Sequence, residues 1–522
     1  MDELKGKKIL LFQQRRWGIN VGNVIAEKFQ RAGCRVAAIT SKRSTHEYIL
    51  NQNKVNYELI FGRDDIMANP KEYLAEDDFS LAQICDDLNI DSVWPLVYSM
   101  RLFIRSYKDK YYYSFKQNTS DEEIIYYIKA VYKSVKYVFN GFGPDIIIAP
   151  NFVDLYHIMF NLYGKKTGVK MIVLTDSKVK GMSIFTHSYN EDEGEFYSRV
   201  DDLNSGRTDS SNREMAIQYI AEFRAEFKKP AYFKEKTKMS FEHRIRYEVE
   251  PYKNILRWYV KRPQNPWDNI GISTEYRPPK IILRDHYSQK RYRRFIDNFN
   301  YYPFDKLDKF VYFPLQSQPE TMIDITASYF SNQIETARQV AMSLPDDYTL
   351  AVKEHPQMAG KRSSSYIEKI ARTINVKLID YQISSEDILK KADLVISPGS
   401  TTLAEAAMLN KPGIQLGNSG TTLKLPNIFK HSDMSNLSVK IKTILSTDFH
   451  IDQYEHRLEN YVAAVYDTGY NVNYVSVWER DRNNKMTDEM DNLWNVYRNE
   501  VVRILSTSDE KNKYDYLAQN KK

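Results

Sequence analysis

Two stretches of the chain alternate short apolar runs with amphipathic segments, and the stretch between them does not. "KKILLFQQRRWG" reads as a strand running into a polar loop. In the following "NVGNVIAEKFQRAGC", Val24, Ile25, Phe29 and Ala32 fall on one helical face, and Gly33 ends the helix. "RVAAIT" is the next strand, so the chain opens with a βαβ unit. "SDEEIIYYIKAVYKSVKYVF" begins with Ser120 and Glu123 at capping-box spacing and predicts a long amphipathic helix. "PDIIIAPN" is a buried strand, "LYHIMFNLYGKKTG" a helix and "VKMIVLT" a further strand. This alternation builds a parallel sheet with helices on both faces.

From about Asp192 to Tyr302 the periodicity gives way to charged and aromatic sequence, helical in pieces, with a proline break at "STEYRPPK". A second alternating series starts at "KFVYFPLQSQPE". It continues through the strands "YTLAVKEHP", "VKLID", "DLVISPGS" and "PGIQLG", separated by four helical segments. The expected organisation is α/β: a Rossmann-like domain over 1–190, a helical insertion or bridge over 191–302, a second Rossmann-like domain over 303–446, and a helical tail over 447–522 with a frayed end.

Composition narrows the function classes. Hydrophobic residues make up 42% of 522, enough for two cores. The net charge of +6 is spread over 74 cations and 68 anions, unlike the one-sided basic face of a nucleic-acid binder. It suits an anionic small substrate or an anionic membrane surface. The two cysteines, Cys34 and Cys85, form neither a CxxC pair nor a disulfide framework, which points to a reducing, cytoplasmic setting. The apolar part of the N-terminus is too short for a signal peptide, and no apolar run approaches the ~20 residues of a membrane span.

Ligands of open parallel sheets bind beyond the carboxyl ends of strands, near the point where strand order reverses. Three segments of the second series place polar residues at such ends: Gln316, Gln318 and Glu320; Lys353, Glu354 and His355; Ser397, Gly399, Ser400, Thr401, Thr402 and Glu405. In the third, a strand turns through Pro398 and Gly399 into a helix that opens with hydroxyl residues. Backbone N–H groups and the dipole at that start make an anion site. Thr402 and Glu405 also stand at capping-box spacing. Lys353 and His355 supply donors to a phosphate, and His355 can act as an acid near neutral pH. By strand alternation Glu354 points the other way and braces a loop. The GxxxG of "WGINVG" permits a close backbone approach by a ligand. There is no Walker A, HExxH, GxSxG or Asp-x-Asp sequence, so no metal-bridged diphosphate site is expected.

"YFPLQSQPE", "LPDDYTLAVKEHPQMAGKR" and "ADLVISPGSTTLAEAAMLNKPGIQLG" together resemble the capsule polysaccharide biosynthesis family, which includes bacterial Kdo transferases. The resemblance is strong over 308–420 and loose over the first domain. It implies a GT-B fold, two Rossmann-like domains facing a cleft, and transfer of a sugar from a nucleotide-activated donor, a CMP-sugar such as CMP-Kdo, with neither cofactor nor metal. His355 and Pro356 match the phosphate-holding pair, with Lys353 beside them, and Ser400 to Thr402 match the turn that grips the nucleotide. Glu405 falls where such enzymes contact a ribose hydroxyl. Glu320 falls in the stretch that carries their catalytic aspartate. The loop "QQRRWGIN", with Arg15, Arg16, Trp17, Gly18 and Asn20, faces a polysaccharide or glycolipid acceptor. The acidic loop Glu191–Gly194 resembles the acidic-acidic-Gly base of bacterial sialyltransferases and is the second candidate carboxylate. An epimerase or polyol-phosphate transferase of the same fold, or a non-catalytic capsule-assembly subunit in peripheral contact with the inner membrane face, are the alternatives.

Overall fold

The computed structural model describes residues 2–100, 119–227, 241–261, 278–472 and 487–519. Parts of the charged middle segment (228–240 and 262–277) and the last three residues therefore lie outside the described ones.

The first lobe is built on β1 (Lys8–Gln14), β2 (Arg35–Ser41), β3 (Leu59–Gly62), β4 (Ile146–Ala149), β5 (Lys170–Asp176) and β6 (Ser183–Thr186), in the order β3-β2-β1-β4-β5-β6. All its pairings are parallel except that of β6, which folds back antiparallel on β5. The second lobe is parallel throughout: β7 (Phe310–Pro314), β8 (Thr349–Lys353), β9 (Val376–Ile379), β10 (Leu394–Ser397), β11 (Gly413–Gln415) and β12 (Ile428–Lys430), in the order β12-β11-β10-β7-β8-β9. Two doubly wound lobes are the GT-B arrangement of the α/β class.

Each sheet buries both faces, as alternation along its central strands requires. In β1, Ile9 and Leu11 enter one core while Leu10 and Phe12 enter the other. In β7, Phe310 and Tyr312 face one side and Val311 and Phe313 the opposite side. The helices that matter below are, in chain order, α1 (Asn23–Arg31), α2 (Asp121–Gly141), α3 (Leu155–Thr167), α4 (Glu195–Asn204), α5 (Arg213–Glu226), α6 (Phe241–Lys261), α7 (Pro279–Asp297), α8 (Ser364–Ala371), α9 (Thr401–Met408), α10 (Asp452–Thr468) and α11 (Thr487–Gln519). The predicted box at α2 forms: Ser120 Oγ accepts from the Glu123 N–H, and the Glu123 carboxylate accepts from the Ser120 N–H.

The middle segment does not form a separate body. α4 and α5 pack with α10 on the second sheet, where Val200, Leu203, Ile220, Leu458 and Val462 join Phe310 and Tyr312 in one core. α6 and α7 form a hairpin whose second helix rests on α8. The chain then returns to its beginning. α11 lays Leu493, Val496, Tyr497 and Val501 against the Ile9–Leu11 face of β1, and the buried Glu500 meets His187 Nε2 at 2.7 Å. Burial alone would raise the Glu500 carboxyl; His187 and Arg503 more than reverse this and hold it below its ordinary range.

Candidate functional site

Strand order reverses between β1 and β4 in the first lobe and between β7 and β10 in the second, and both crevices are bridged by a glutamine. Gln14 Nε2 donates to Asn151 Oδ1 at 2.6 Å, and Gln316 Nε2 donates to Ser397 Oγ at 3.2 Å. Gln316 and Ser397 are buried, and their polar atoms are engaged within the lobe. They shape the second crevice from beneath.

The turn after β10 is prearranged by its own hydroxyls. Ser397 Oγ accepts from Gly399 N–H at 3.3 Å, and Ser400 Oγ accepts from Thr402 N–H at 3.1 Å. Ser400 is thus the N-cap of α9, with extended backbone, and the Thr402–Glu405 spacing is not used as a box. Ser400 Oγ keeps its own O–H to donate. Two of the turn's backbone N–H groups are committed internally, so its anion capacity is narrower than the residue types suggest. The turn is fixed from outside as well: the Pro398 carbonyl accepts from Gly417 N–H at 2.7 Å, and the Thr326 carbonyl from Asn418 N–H at 2.7 Å. Glu405 lies on α9 near the buried Tyr312 hydroxyl, whose pKa burial and this carboxylate both raise.

At the end of β8 the residues separate by direction. Lys353 is buried, and its ammonium donates to the Ile383 carbonyl at 2.9 Å and to Ser385 Oγ at 3.4 Å. It ties down the loop after β9 instead of reaching toward the turn after β10. Glu354 is fully buried against Arg362 (2.6 Å) and also accepts from the His355 N–H at 2.7 Å. Burial pushes its carboxyl up, while Arg362 and the His355 N–H pull it back. Arg362 Nη2 donates to the Gln316 carbonyl, and its guanidinium lies 4.8 Å over the Tyr366 ring. One buried ion pair thereby joins the loops after β7 and β8. His355 is partly exposed, and its Nδ1 accepts from Gln357 N–H at 3.2 Å. With Nδ1 an acceptor, the neutral imidazole carries its proton on Nε2. Pro356 opens the short turn that holds the ring this way. β7 lies between β8 and β10, so His355 and Ser400 rise from strands about 10 Å apart.

The loop after β7 lies between the lobes. Ile325 packs against the first lobe's core. Gln318 is buried, with Nε2 donating to the Ser331 carbonyl and Oε1 accepting from Gln333. Glu320 is exposed, and its N–H donates to Asp324 Oδ2 at 3.2 Å. Asp324, fully buried, also accepts from Gln318 Nε2. Sequence reasoning passed over Asp324 and Arg362. Their signals were weak: an acid four residues after Glu320, and an arginine in a loop with no periodicity.

The acidic loop of the first lobe forms the seam. Glu191, at φ +54°, accepts from Thr175 Oγ1 (2.9 Å), Ser419 Oγ (3.1 Å) and Thr421 Oγ1 (3.3 Å). The Asn190 carbonyl accepts from Gly420 N–H at 2.8 Å. Glu193 is paired with Lys165. Asp192 is exposed and lines a cavity of about 380 Å³ with Asn190 from its own lobe and Asn418, Lys424 and Lys430 from the other. The Lys430 ammonium donates to the Leu416 and Gly417 carbonyls, and burial lowers its pKa to about 8.

In the first lobe, Arg15 and Arg16 are exposed beyond β1 and Asn20 is partly so. Trp17 and Gly18 are buried and offer no face to an acceptor. The close approach that the GxxxG permits is internal. A Cβ on Gly18 would stand 2.9 Å from the Gln13 backbone, and one on Gly22 would stand 2.4 Å from the Trp17 ring. Behind them Arg63 pairs with Asp154, whose other oxygen meets His157 Nδ1 at 2.7 Å. Burial would raise Asp154, but Arg63 and His157 hold it far below the carboxylate range. Among the described residues, no group of three His, Cys, Asp or Glu side chains is arranged to hold a metal ion.

No family model matches the chain, and no curated protein matches it. Solved structures do. A UDP-GlcNAc 2-epimerase from Methanocaldococcus jannaschii is 12% identical, over 86% of this chain and 95% of that one, with a TM-score of 0.23. A UDP-GlcNAc 2-epimerase from Neisseria meningitidis is 10% identical, over 88% and 99%, at 0.25. The KpsC β-Kdo 2,7-transferase of Thermosulfurimonas dismutans is 12% identical, over 67% and 88%, at 0.34. Similarities this distant leave the functional assignment to the chemistry of the site itself.

Proposed function

We propose that the chain is a glycosyltransferase that moves a sugar from a nucleotide-activated donor, a CMP-sugar such as CMP-Kdo, to a polysaccharide or glycolipid acceptor. One observation carries this reading. The prearranged Ser400 turn and the His355 imidazole, whose Nδ1 accepts from Gln357 N–H, stand at the carboxyl edge of the second sheet beside its switch point, and both are of the chemistry that an anion needs. The lobe seam lies alongside.

A donor phosphate lies between the start of α9 and His355. It receives the Ser400 O–H, the dipole of α9 and the Nε2–H of His355. Hydrogen bonds to a charged group are worth about 1.5–3 kcal/mol each. They act most strongly as negative charge grows on the departing phosphate, so they favour departure over mere binding. Glu405 takes the ribose. Glu320, on the loop between the lobes, supplies the carboxylate that acts as nucleophile or base, and Asp324 positions it through its N–H. Arg15, Arg16 and Asn20 meet the acceptor across the cleft. Lys353, Gln316, Gln318 and Ser397 hold the walls.

Calorimetric titration of CMP, UDP and CDP into wild type, His355→Ala and Ser400→Ala tests this. At least a tenfold weaker affinity is expected in each variant for whichever nucleotide binds the wild type. Unchanged affinity in both removes the assignment of the anion site. Turnover of a nucleotide sugar without any acceptor would turn the reading to an epimerase.

A further inference from the structure

The helical hairpin α6–α7 carries a surface that the transfer reaction does not use. Along α6, Ile245, Val249, Tyr252, Leu256 and Tyr259 recur at spacings of four and three, which places them on one helical face. That face is open: Ile245 is 48% exposed, Val249 53%, Leu256 64%, and Val260 at its end 75%. The neighbouring face is the one turned inward. Pro251 is buried, Asn254, Ile255 and Trp258 are partly covered, Lys290 of α7 pairs with Glu248, and the Tyr252 and Tyr287 hydroxyls meet at 3.1 Å. Apart from the Tyr252 hydroxyl at its edge, the stripe is therefore not the helix's own packing surface.

Charge follows the stripe. Arg246, Lys253 and Arg257 each come one residue after a stripe residue and line its outer border. All three are exposed, and none makes an ion pair with a described residue; Glu250 is the acid in that row. The two helices together hold eleven Lys and Arg against five Asp and Glu, an excess equal to the net +6 of the entire chain. The aromatic members of the stripe, Tyr252 and Tyr259, are of a type that settles where hydrocarbon meets headgroups. No described helix is long and apolar enough to cross a membrane.

We infer that the α6 face docks on an anionic lipid surface, lying in the headgroup plane with its apolar stripe inserted and the Arg246–Arg257 row on the phosphates. An apolar stripe bordered by cations and interfacial aromatics has the composition of such helices. Positive charge beside it complements anionic lipid and not a second, equally basic copy of the chain. The hairpin is also firmly held by the second lobe. Arg293 of α7 donates to the Tyr381 hydroxyl at 2.7 Å, which donates to Asp297 at 2.6 Å. Arg293 also packs on Gly360 so closely that a Cβ there would stand 2.9 Å from its own. Gly360 belongs to the loop running from His355 to Arg362, so docking would hold the donor side of the cleft against the membrane.

Co-sedimentation of the full chain with vesicles tests this. Wild type should pellet with phosphatidylcholine vesicles containing phosphatidylglycerol and stay in solution with phosphatidylcholine alone, and high salt should weaken the binding. Leu256→Glu/Val260→Glu and Lys253→Glu/Arg257→Glu should each lower vesicle affinity at least tenfold. Their melting and nucleotide affinity should stay at wild-type values, which separates this outcome from failure of the transferase reading. Three results overturn the inference: no binding by wild type, equal binding to neutral and anionic vesicles, or a wild-type dimer in sedimentation that Leu256→Glu/Val260→Glu dissolves.

Discussion

Replacing Arg362 by methionine removes the cation of the one fully buried pair beneath the His355 loop and leaves its volume nearly filled. Glu354 then stays in the core with the His355 N–H as its described donor. Removing one partner of a buried ion pair costs about 3–5 kcal/mol, because the other charge is left without compensation. For a unit the size of the second lobe, about 2–4 °C of melting temperature accompanies each kcal/mol, so its transition should fall by about 6–20 °C at pH 7. The pH dependence is as informative as the size. Burial already pushes Glu354 up, and without Arg362 nothing comparable opposes it. A carboxyl raised in the folded state lends most stability below its unfolded value of about 4.3, and that stability is lost as pH rises through the folded value. Arg362→Met should therefore be closer to wild type at pH 5 than at pH 8. Arg362→Met/Glu354→Gln should recover most of the loss and show little of this slope. Calorimetry of the three proteins across pH 5–8 measures both. A loss under about 1 kcal/mol, or a loss in Arg362→Met that does not change with pH, would refute the account of the pair.

Gly420→Ala puts a Cβ 2.3 Å from the Glu191 carbonyl oxygen and 2.7 Å from the Asp192 Cα. These are backbone atoms, so the seam must part, at about 1–3 kcal/mol; small-angle scattering should show a larger radius than wild type. Asp154→Asn leaves the buried Arg63 with Asp64 alone, at about 3 kcal/mol. Because Asp154 is depressed in the folded state, its stabilisation is present above its unfolded value near 3.9 and disappears as pH falls through the folded one. Urea midpoints of wild type and variant should thus differ at pH 7 and converge toward pH 2. Once a donor is identified, Glu320→Gln should lower turnover about 10²–10⁴-fold with donor affinity retained, and Asp192→Asn should change it less than tenfold.

The two sheets were legible because their central strands are continuous apolar runs between amphipathic helices, a pattern that leaves little choice of class. β3, β6 and β12 were not. They are edge strands of three or four residues, and "LIFG" and "IFK" are only half buried, so they lack the run that marks a central strand. Residue types at strand ends drew attention to the turn after β10, and alternation along β8 separated Glu354 from its neighbours. Alternation could not show what Lys353 reaches, because the Ile383 carbonyl is thirty residues on and enters only through the pairing of β8 with β9. Trp17 sits in a polar loop that the sequence placed toward an acceptor. Gly18 and Gly22 let the chain coil tightly there and bury it, a consequence of backbone approach that no periodicity records.

The carboxylates near the cleft can be sorted by what already occupies them. Glu354 is fully buried in its ion pair, and Glu193 is held by Lys165 at the outer side of its loop. Glu191 accepts from three hydroxyls on both lobes, so taking a proton there would weaken the seam itself. Asp324 is fully buried with Gln318 Nε2 and the Glu320 N–H on its two oxygens. Glu320 and Asp192 are the exposed carboxylates of this group. Asp192 lies in the cavity at the seam with Asn190, Asn418, Lys424 and Lys430, away from the β8 and β10 ends that carry His355 and Ser400. Glu320 stands on the loop that leaves β7, the strand between the one that delivers His355 and the one that leads into Ser400, and Asp324 restrains its backbone. On the proposed reading, a carboxylate so placed meets the sugar whose phosphate is held at the same sheet edge. The buried Asp324 four residues later accepts from the Glu320 N–H and from Gln318, and in that reading it fixes the loop from which Glu320 acts.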